Sequence, residues 1–406
     1  MTQGSEGSPE AGTAAANMAR AGDLFQLLRD GQAHTRAELA LATGLARSTV
    51  ATRIDALMQA GLIGAAGEAR STGGRPPSRF AFNPAARVVL AADVGATHLN
   101  IAVTDLAGNV LVRQKLQQLV EDGPRIVLGR IVSVGLELLA SVGRCDGALA
   151  GIGIGLPGPV EHLTGRPVKP PIMPGWDQFD VVGFIQSILD VPVLVDNDVN
   201  IMALGERASY WSDHSNFFFV KVATGIGSGI ISNGELQRGA NGTAGDLGHT
   251  ATPGAEDVQC ACGNVGCLEA VASGPAISRE LKRLGVEAGN GSDVLRLVSE
   301  GNLLAIQALR DAGRAIGGVL ATVVNLLNPS VIVVGGSMGD AGEQLVAGIR
   351  EVVYRRSLPL ATAHLRISHS LAGEESAILG ASQMVTQHVL SPEAIEATLA
   401  ALTKAS

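Results

Sequence analysis

The sequence predicts an α/β protein made of two unlike parts, a small helical module at the N-terminus and a larger, internally duplicated module behind it. A chain of 406 residues is longer than one ordinary core, because domains average about 150 residues. Apolar residues follow helical spacing up to residue 60, whereas apolar strands separated by glycine turns follow from residue 88. Aromatic residues make up only 3% of the chain and glycine occurs 52 times, which is typical of an aliphatic core with loops that approach ligands closely.

The N-terminal segment and the apolar stretches indicate where the protein resides. Residues 1–18 are rich in Gly, Ser, Ala and Glu without periodicity, which predicts a disordered tail. They also lack the charged-then-apolar order of a signal peptide. The longest apolar stretch, 315–327, is shorter than the roughly 20 residues that a membrane span needs. We therefore expect a cytoplasmic protein that does not enter a membrane.

The net charge of −8 is unevenly distributed along the chain. Residues 1–87 carry nine arginines against seven acidic residues, a net charge of +2. The remainder carries 21 basic and 31 acidic residues, a net charge of −10, and would be repelled by nucleic acid. Only the N-terminal module therefore suits a DNA partner.

The N-terminal module fits a helix-turn-helix pattern. A first helix is predicted over 19–30, a second opens with the capping box Thr35 and Glu38, and a third covers 46–60. The N-terminal half of the third helix carries short polar or cationic side chains that suit base edges and phosphates in a major groove. These predicted DNA contacts are Arg47, Ser48, Thr49, Thr52 and Arg53.

A β wing is predicted to follow the third helix, beginning at 61–64. Arg75 stands in a Gly-Gly-Arg-Pro run at the wing's tip or just beyond it, and such an arginine is able to lie flat in a narrow minor groove. A small structural domain is the alternative for any three-helix pattern. The basic third helix and the Gly-Gly-Arg-Pro run favour a winged-helix DNA-binding domain over 19–83.

Three of the four cysteines, Cys260, Cys262 and Cys267, lie within eight residues, and His249 stands eleven residues upstream. Three thiolates and one imidazole complete a tetrahedral zinc shell without an open position, so the spacing predicts a structural Zn²⁺ site. The alternative is a disulfide or a group of buried thiols. Cys-Ala-Cys does not readily bridge itself, however, and no secretory signal indicates an oxidising compartment.

Two similar units run an apolar strand into a glycine turn, at 88–97 and at 217–229, which indicates an internal duplication. Two such turns facing each other present backbone N–H groups to phosphates, although glycine turns between strands usually only turn. Between them, a strand delivers Asp196, Asn197 and Asp198 at its end. A carboxylate there is able to accept a proton from a sugar hydroxyl, and the same motif could equally cap the helix that follows.

From about residue 87 the chain resembles the ROK proteins, a family of repressors and sugar kinases. Four motifs carry the resemblance: Gly-Asp-Leu-Gly-His at 245–249, Cys-Ala-Cys-Gly-Asn-Val-Gly-Cys-Leu-Glu at 260–269, Leu-Pro-Gly at 156–158 and Asp-Asn-Asp-Val-Asn at 196–200. The resemblance implies an actin-like ATPase fold, which is a duplicated, ribonuclease H-like domain of two lobes. The winged helix in front of it is a mark of the family's repressor branch.

The resemblance also implies domain limits and site residues. Lobe 1 would span 87–201 and be completed by a C-terminal helix over 383–406, and lobe 2 would span 202–382 and carry the zinc knuckle. The implied sugar ligands are Asn197, Asp198, Asp246, His249 and Glu269, with Asp198 in the place of the kinases' catalytic base. The implied phosphate and nucleotide loops contain Asp93, Gly95, Thr97, Thr224, Gly225, Gly227, Gly335 and Gly336. ATP and Mg²⁺ would bind only in an active kinase.

Two positions depart from the kinase pattern. Ala96 stands where the first phosphate loop usually has a second glycine, and its Cβ would obstruct close approach of a phosphate. Asp246 stands where the Gly-Glu-x-Gly-His motif usually has glutamate, one methylene longer. Together with the basic winged helix, the resemblance implies a sugar-responsive repressor of transcription that forms a homodimer. The alternatives are an ATP-dependent sugar kinase that carries a DNA-binding arm, and an interaction module that binds no sugar.

Overall fold

The computed structural model describes residues 20–68 and 77–405. The predicted tail at 1–18 and the predicted DNA contact Arg75 lie outside these residues. Within them, no helix is long and apolar enough to cross a membrane. The chain forms an N-terminal winged helix followed by two lobes, each built on a five-stranded mixed sheet, which confirms the predicted fold class.

The N-terminal module is a three-helix unit with a small sheet. Thr35 accepts a hydrogen bond from the Glu38 backbone N–H while the Glu38 carboxylate accepts one from the Thr35 N–H, so the predicted capping box forms. The strands pair in the order β1-β3-β2, and β2 and β3 form the wing. The elements are α1 (Ala21–Leu28), β1 (His34–Thr35), α2 (Arg36–Thr43), α3 (Arg47–Gln59), β2 (Ile63–Glu68) and β3 (Ser78–Phe82).

Lobe 1 has a sheet in the order β10-β7-β4-β5-β6, in which β4, β5 and β6 are antiparallel neighbours and β7 and β10 are parallel to β4. Helices α4 and α5 pack on one face of it over an aliphatic core. Its elements are β4 (Val88–Val94), β5 (His98–Asp105), β6 (Val110–Gln117), α4 (Pro124–Ser141), β7 (Leu149–Leu156), β8 (Val160–Glu161), β9 (Arg166–Pro167), α5 (Val181–Gln186), β10 (Val193–Asn197) and α6 (Asp198–Tyr210).

Lobe 2 repeats this topology with the order β13-β12-β11-β14-β15 and the same strand directions. The segment between β13 and α10 is longer than its counterpart in lobe 1 and contains the cysteine cluster. The elements are β11 (Phe217–Val222), β12 (Ile226–Ser232), β13 (Glu235–Leu236), α7 (Leu268–Ala272), α8 (Gly274–Arg283), α9 (Gly291–Ser299), α10 (Leu303–Leu327), β14 (Val331–Gly335), α11 (Glu343–Arg356), α12 (Pro359–Thr362), β15 (Arg366–His369), α13 (Ser376–Val389) and α14 (Pro392–Ala405).

Helices α6 and α13 join the two lobes. Each follows the fifth strand of its own sheet, and the two helices cross at contact distance through glycines. A Cβ at Gly380 would lie 1.6 Å from the carbonyl oxygen of Ile201, and a Cβ at Gly205 would lie 2.0 Å from that of Ser376. The surrounding core takes residues from both sheets, so the lobes share one apolar junction.

The C-terminal segment 383–406, predicted as one helix, is divided between α13 and α14. The first packs on β4 and β7 of lobe 1. The second packs on α1 of the winged helix, where the Gly22 N–H donates to the Glu396 carboxylate (2.9 Å) and Gln26 Nε2 donates to the Leu390 carbonyl (2.7 Å). A single core continues from the winged helix into this end of the chain.

We expect Gly380→Ala to lower the free energy of unfolding by about 3 kcal/mol, at the upper end for overpacked cores, because the new methyl meets backbone that cannot yield without separating α6 from α13. Urea unfolding followed by circular dichroism measures this. Gly318→Ala is the matched control, since a Cβ there meets no atom within 4 Å. Alanine favours the helix, so the control should unfold at the same or a higher urea concentration. Equal losses in both variants would contradict the prediction.

Candidate functional site

The Asp-Asn-Asp motif lies where β10 passes into α6. Asn197 is the N-cap of α6, because its Oδ1 accepts from the backbone N–H groups of Val199 and Asn200. Its Nδ2 donates to the Gly158 carbonyl (2.9 Å), which ties the Leu-Pro-Gly loop to the start of the helix. The capping role that the sequence allowed is therefore real, and it fixes the orientation of the side chain.

Asp198 pairs with a lysine from the other lobe. Its Oδ2 lies 2.5 Å from Lys221 Nζ on β11, and its Oδ1 accepts from the Val199 N–H (2.8 Å). The Asp198 side chain is 6% exposed and that of Lys221 26% exposed. Burial lowers the pKa of Lys221, but the Asp198 carboxylate and the Asp93 carboxylate together raise it by more, so the net direction is upward. Lys221 is therefore an ammonium at neutral pH.

The loop between β4 and β5 carries the first predicted phosphate residues. His98 Nε2 lies 3.7 Å from Asp93 Oδ2, and the His98 ring covers Gly95 so closely that a Cβ there would lie 2.1 Å from Cε1. Thr97 is exposed at the tip of the loop. A side chain at position 95 would therefore need the His98 imidazole to move aside.

The loop between β11 and β12 carries Thr224, Gly225 and Gly227 and contacts one other predicted ligand, Glu269. The Glu269 carboxylate accepts from the Ile226 N–H (3.0 Å), and a Cβ at Gly225 would lie 2.7 Å from it. Gly227 contacts the first turn of α6, since a Cβ there would lie 2.9 Å from Val199. The second loop therefore sits between Glu269 and the helix that begins at Asp198.

The motif Gly-Asp-Leu-Gly-His lies against β12. Gly245 has φ +99°, its carbonyl accepts from the Ser228 N–H and hydroxyl, and a Cβ there would lie 2.1 Å from the Ser228 carbonyl oxygen. Only glycine suits that position. The motif leaves Asp246 exposed and His249 half-buried.

The third predicted turn follows β14. Gly336 has φ +80°, and a Cβ there would lie 2.7 Å from the Val222 carbonyl oxygen, so the turn abuts the end of β11. Gly335 packs against the Phe219 ring. A cavity of about 360 Å³ adjoins the turn, and its lining residues, which include Ser337 and Asp340, all belong to lobe 2.

His249, Cys260, Cys262 and Cys267 come together as predicted, with their ligand atoms within 4.8 Å of one another. Cys262 Sγ lies 3.7 Å from Cys267 Sγ, and Cys260 Sγ lies 3.8 Å from His249 Nδ1. A tetrahedron with metal–sulfur bonds of about 2.3 Å has edges of about 3.8 Å, so the donor set fits such an ion. Burial and the two neighbouring thiols raise the pKa of Cys267 to about 12, so a cation is needed to hold it as a thiolate.

The predicted DNA contacts lie on α3. Val50, Ile54 and Leu57 are fully buried, which turns the opposite face of the helix outward. Arg47, Ser48 and Thr52 are exposed, and Thr49 and Arg53 are half-buried. The N-cap residue Ala46 provides no side-chain acceptor for the first N–H groups of the helix. Cationic, hydroxylic and backbone donors therefore share one end of α3.

Two ion pairs that join a buried carboxylate of lobe 1 to a cation of lobe 2 were not predicted from the sequence. Lys221 forms the first pair with Asp198. The signal in the sequence was a single cation inside the apolar strand Phe-Phe-Phe-Val-Lys-Val. Arg238 forms the other pair, since its Nε lies 2.7 Å from Asp196 Oδ2 and the Asp196 side chain is only 2% exposed. Asn200 Nδ2, from the same lobe, also donates to Asp196 (2.8 Å). Both oxygens of this carboxylate therefore accept hydrogen bonds, one of them from the other lobe.

A family model described as the ROK family matches residues 89–388, which is well over half of the chain. The chain belongs to the ROK family. A second model, described as winged helix-turn-helix DNA-binding, matches residues 24–63. The predicted family is thereby confirmed, together with the module that precedes the ROK domain.

Relatives of this ROK protein include both regulators and kinases. The xylose repressor of Bacillus spizizenii is 30% identical over 357 residues, covering 88% of this chain and 92% of that protein. The crystal structure of a ROK family transcriptional regulator, a homologue of the E. coli MLC protein, superposes with a TM-score of 0.80 at 26% identity, covering 95% and 99% of the two chains. A Streptomyces griseus ROK glucokinase in complex with glucose and AMPPNP gives 0.64 at 26% identity, covering 74% and 99%.

We expect Arg238→Met to lower the free energy of unfolding by about 2–3 kcal/mol, because it leaves the buried Asp196 carboxylate without its cation. The range lies below that of fully buried pairs because the Arg238 side chain is 21% exposed. Thermal or urea unfolding measures this loss, and adding Asp196→Asn to the variant should recover part of it.

Arg283→Met is the control for the loss of an arginine, because Arg283 pairs with Glu280 on the surface with 70% of its side chain exposed. It should leave stability unchanged. A wild-type unfolding midpoint in Arg238→Met would show that the pair does not stabilise the lobes.

Proposed function

We propose that this ROK protein is a transcriptional repressor that binds DNA through its winged helix and senses a sugar between the lobes of its ROK domain. The observation that carries the proposal is the helix α3, which buries its apolar face and turns Arg47, Ser48 and Thr52 outward in front of a sugar-kinase-like domain. The repressor named above, with its similarity along nine-tenths of the chain, supports the same function.

Two of the proposed sugar ligands lie at the start of α6, and the other three come from lobe 2. Asn197, Asp198, Asp246, His249 and Glu269 supply carboxylate, amide and imidazole groups, which are the groups that recognise hydroxyls. Three of these side chains are carboxylates, so the site favours a neutral sugar over a sugar phosphate.

We propose Zn²⁺ as the occupant of the cysteine cluster. The ion would be held by His249 Nδ1 and the three thiolates, and it would supply structural rigidity to the segment between β13 and α10. With Nδ1 committed to the metal, Nε2 carries the proton and is able to donate to a sugar hydroxyl.

A continuous series of packed elements connects the proposed sugar site with the DNA-binding module. Asp198 begins α6, α6 crosses α13 without free space between their backbones, and α14 packs on α1. A sugar that binds one arrangement of the lobes better than another would shift the position of the winged helix. We further propose a homodimer, because two α3 helices about one DNA turn apart would read two half-sites.

DNA binding by the full chain tests the proposed function. Duplexes selected by the wild-type protein from a random-sequence pool serve as the probe in fluorescence anisotropy. We expect Arg47→Ala and Arg53→Ala each to weaken binding about tenfold or more through lost base or phosphate contacts, and a saturating effector sugar to release the DNA. The same assay would decide whether Arg75 contributes.

Arg283→Ala, which removes the same charge from lobe 2, is the control and should bind as the wild type does. Sequence-specific binding that survives the loss of both α3 arginines would refute the DNA assignment. Sugar-dependent release of ADP from ATP would instead support the kinase alternative.

We expect about one Zn²⁺ per chain by metal analysis of the purified protein. Cys267→Ser should lose most of the metal and lower the melting temperature, because the remaining ligands cannot close the shell. Cys145→Ser is the control, since Cys145 lies outside the cluster and is exposed. Full metal content in Cys267→Ser would contradict the proposed ligand set.

A further inference from the structure

The Asp198–Lys221 pair lies in the proposed sugar site, so an inference drawn from it rests on the proposed function. Lys221 is the one charged residue of β11, and it reaches out of lobe 2 to a carboxylate that belongs to lobe 1. Both oxygens of that carboxylate already accept hydrogen bonds, Oδ1 from the Val199 N–H at 2.8 Å and Oδ2 from Lys221 at 2.5 Å.

An enzyme that transfers a phosphoryl group to a sugar needs a free carboxylate oxygen beside the acceptor hydroxyl, because that carboxylate accepts the hydroxyl proton. In a hexose kinase the acceptor is typically the primary hydroxyl on the carbon outside the ring. Here the Lys221 ammonium already holds Oδ2 of the Asp198 carboxylate. The charge-assisted pair is stronger than a neutral hydroxyl contact, so a primary hydroxyl has to displace Lys221 or use the lone pair of Oδ2 that remains beside it.

The adjoining first loop points in the same direction. The His98 imidazole covers Gly95 and faces Asp93, and Ala96 adds a methyl to the same turn. The His98 imidazole and the Ala96 methyl therefore take up space in the loop that the family resemblance assigns to phosphate binding. A site that does not transfer phosphate does not need to hold an acceptor hydroxyl beside Asp198.

We propose that Lys221 makes the sugar site selective for an aldopentose over the corresponding aldohexose, because its ammonium occupies the position beside Asp198 that the hexose's hydroxymethyl group would need. The pentose leaves the ion pair intact and binds through its ring hydroxyls. The hexose has to break the pair or shift the ring away from Asp198. Lys221 is thus a specificity-determining residue.

D-xylose and D-glucose form a matched pair of ligands, since their pyranose rings carry the same hydroxyl configuration and differ by one hydroxymethyl group. Isothermal titration calorimetry on the full chain gives the dissociation constant of each. We expect the wild type to bind D-xylose at least about tenfold more tightly than D-glucose. Lys221→Ala should bring the ratio to about one or reverse it, because the space opened beside Asp198 admits the hydroxymethyl group.

Lys115→Ala is the matched control, since Lys115 pairs with Glu374 on the surface and its side chain is 50% exposed, and it should keep the wild-type ratio. If Lys221→Ala fails to fold around an unpaired Asp198, the double variant Lys221→Ala/Asp198→Asn removes both charges. It should bind both sugars more weakly and also lose the preference.

Each possible result of the titrations either supports or contradicts the proposed selectivity. Equal or tighter binding of D-glucose by the wild type, or a ratio that stays the same when Lys221 is replaced, would overturn the selectivity while leaving a sugar sensor in place. Binding of neither sugar by the wild type would overturn the selectivity and would also count against the proposed sugar sensing. A tenfold preference that disappears only in the Lys221 variants would support the inference.

Discussion

The crossing of α6 and α13 at Gly205 and Gly380 is the constraint on which the rest of the molecule depends. A carbonyl oxygen of each helix lies where the other helix would have a Cβ, so the two backbones touch and no side chain separates them. Helix α6 continues directly from β10, and α13 follows β15 after six residues. The contact therefore fixes both sheets relative to each other and brings the strand ends of both lobes to one junction.

Charged side chains lie together at this junction because they are located at the strand ends that meet there. Asp198 opens α6, Asp93 lies near the end of β4 and Lys221 near the end of β11, and each of these carboxylates lies in reach of an ammonium or imidazole from the chain itself. Asp196 is matched by Arg238 in the same way. Buried carboxylates left alone would oppose closure of the lobes, whereas these pairs allow the lobes to meet without a ligand.

Features that depend on neighbouring residues were readable from the sequence, and features that depend on distant ones were not. The capping box at Thr35 and the cysteine cluster need only short spacings, and the structure brings those residues together as predicted. The sequence left two roles open for the motif that contains Asn197, capping of a helix and binding of a sugar, and the structure shows that Asn197 caps α6. The pairing of Asp198 with Lys221 joins residues of two lobes, and the division of the C-terminus into α13 and α14 depends on packing against α1. Local periodicity in the sequence predicts neither feature.

A ligand that enters such a junction must replace interactions rather than simply add them. Because ion pairs and a backbone contact already join the lobes, a sugar does not act by closing two lobes that are otherwise apart. Its hydroxyls have to exchange with groups that the carboxylates already hold, and only the difference in free energy between the two arrangements is available to move the winged helix. Helix α13 has no room for a side chain at the Gly380 crossing and is followed after two residues by α14, which packs on α1. We therefore expect a small change in the tilt of α6 to reach α1 instead of being absorbed by loose packing at the junction.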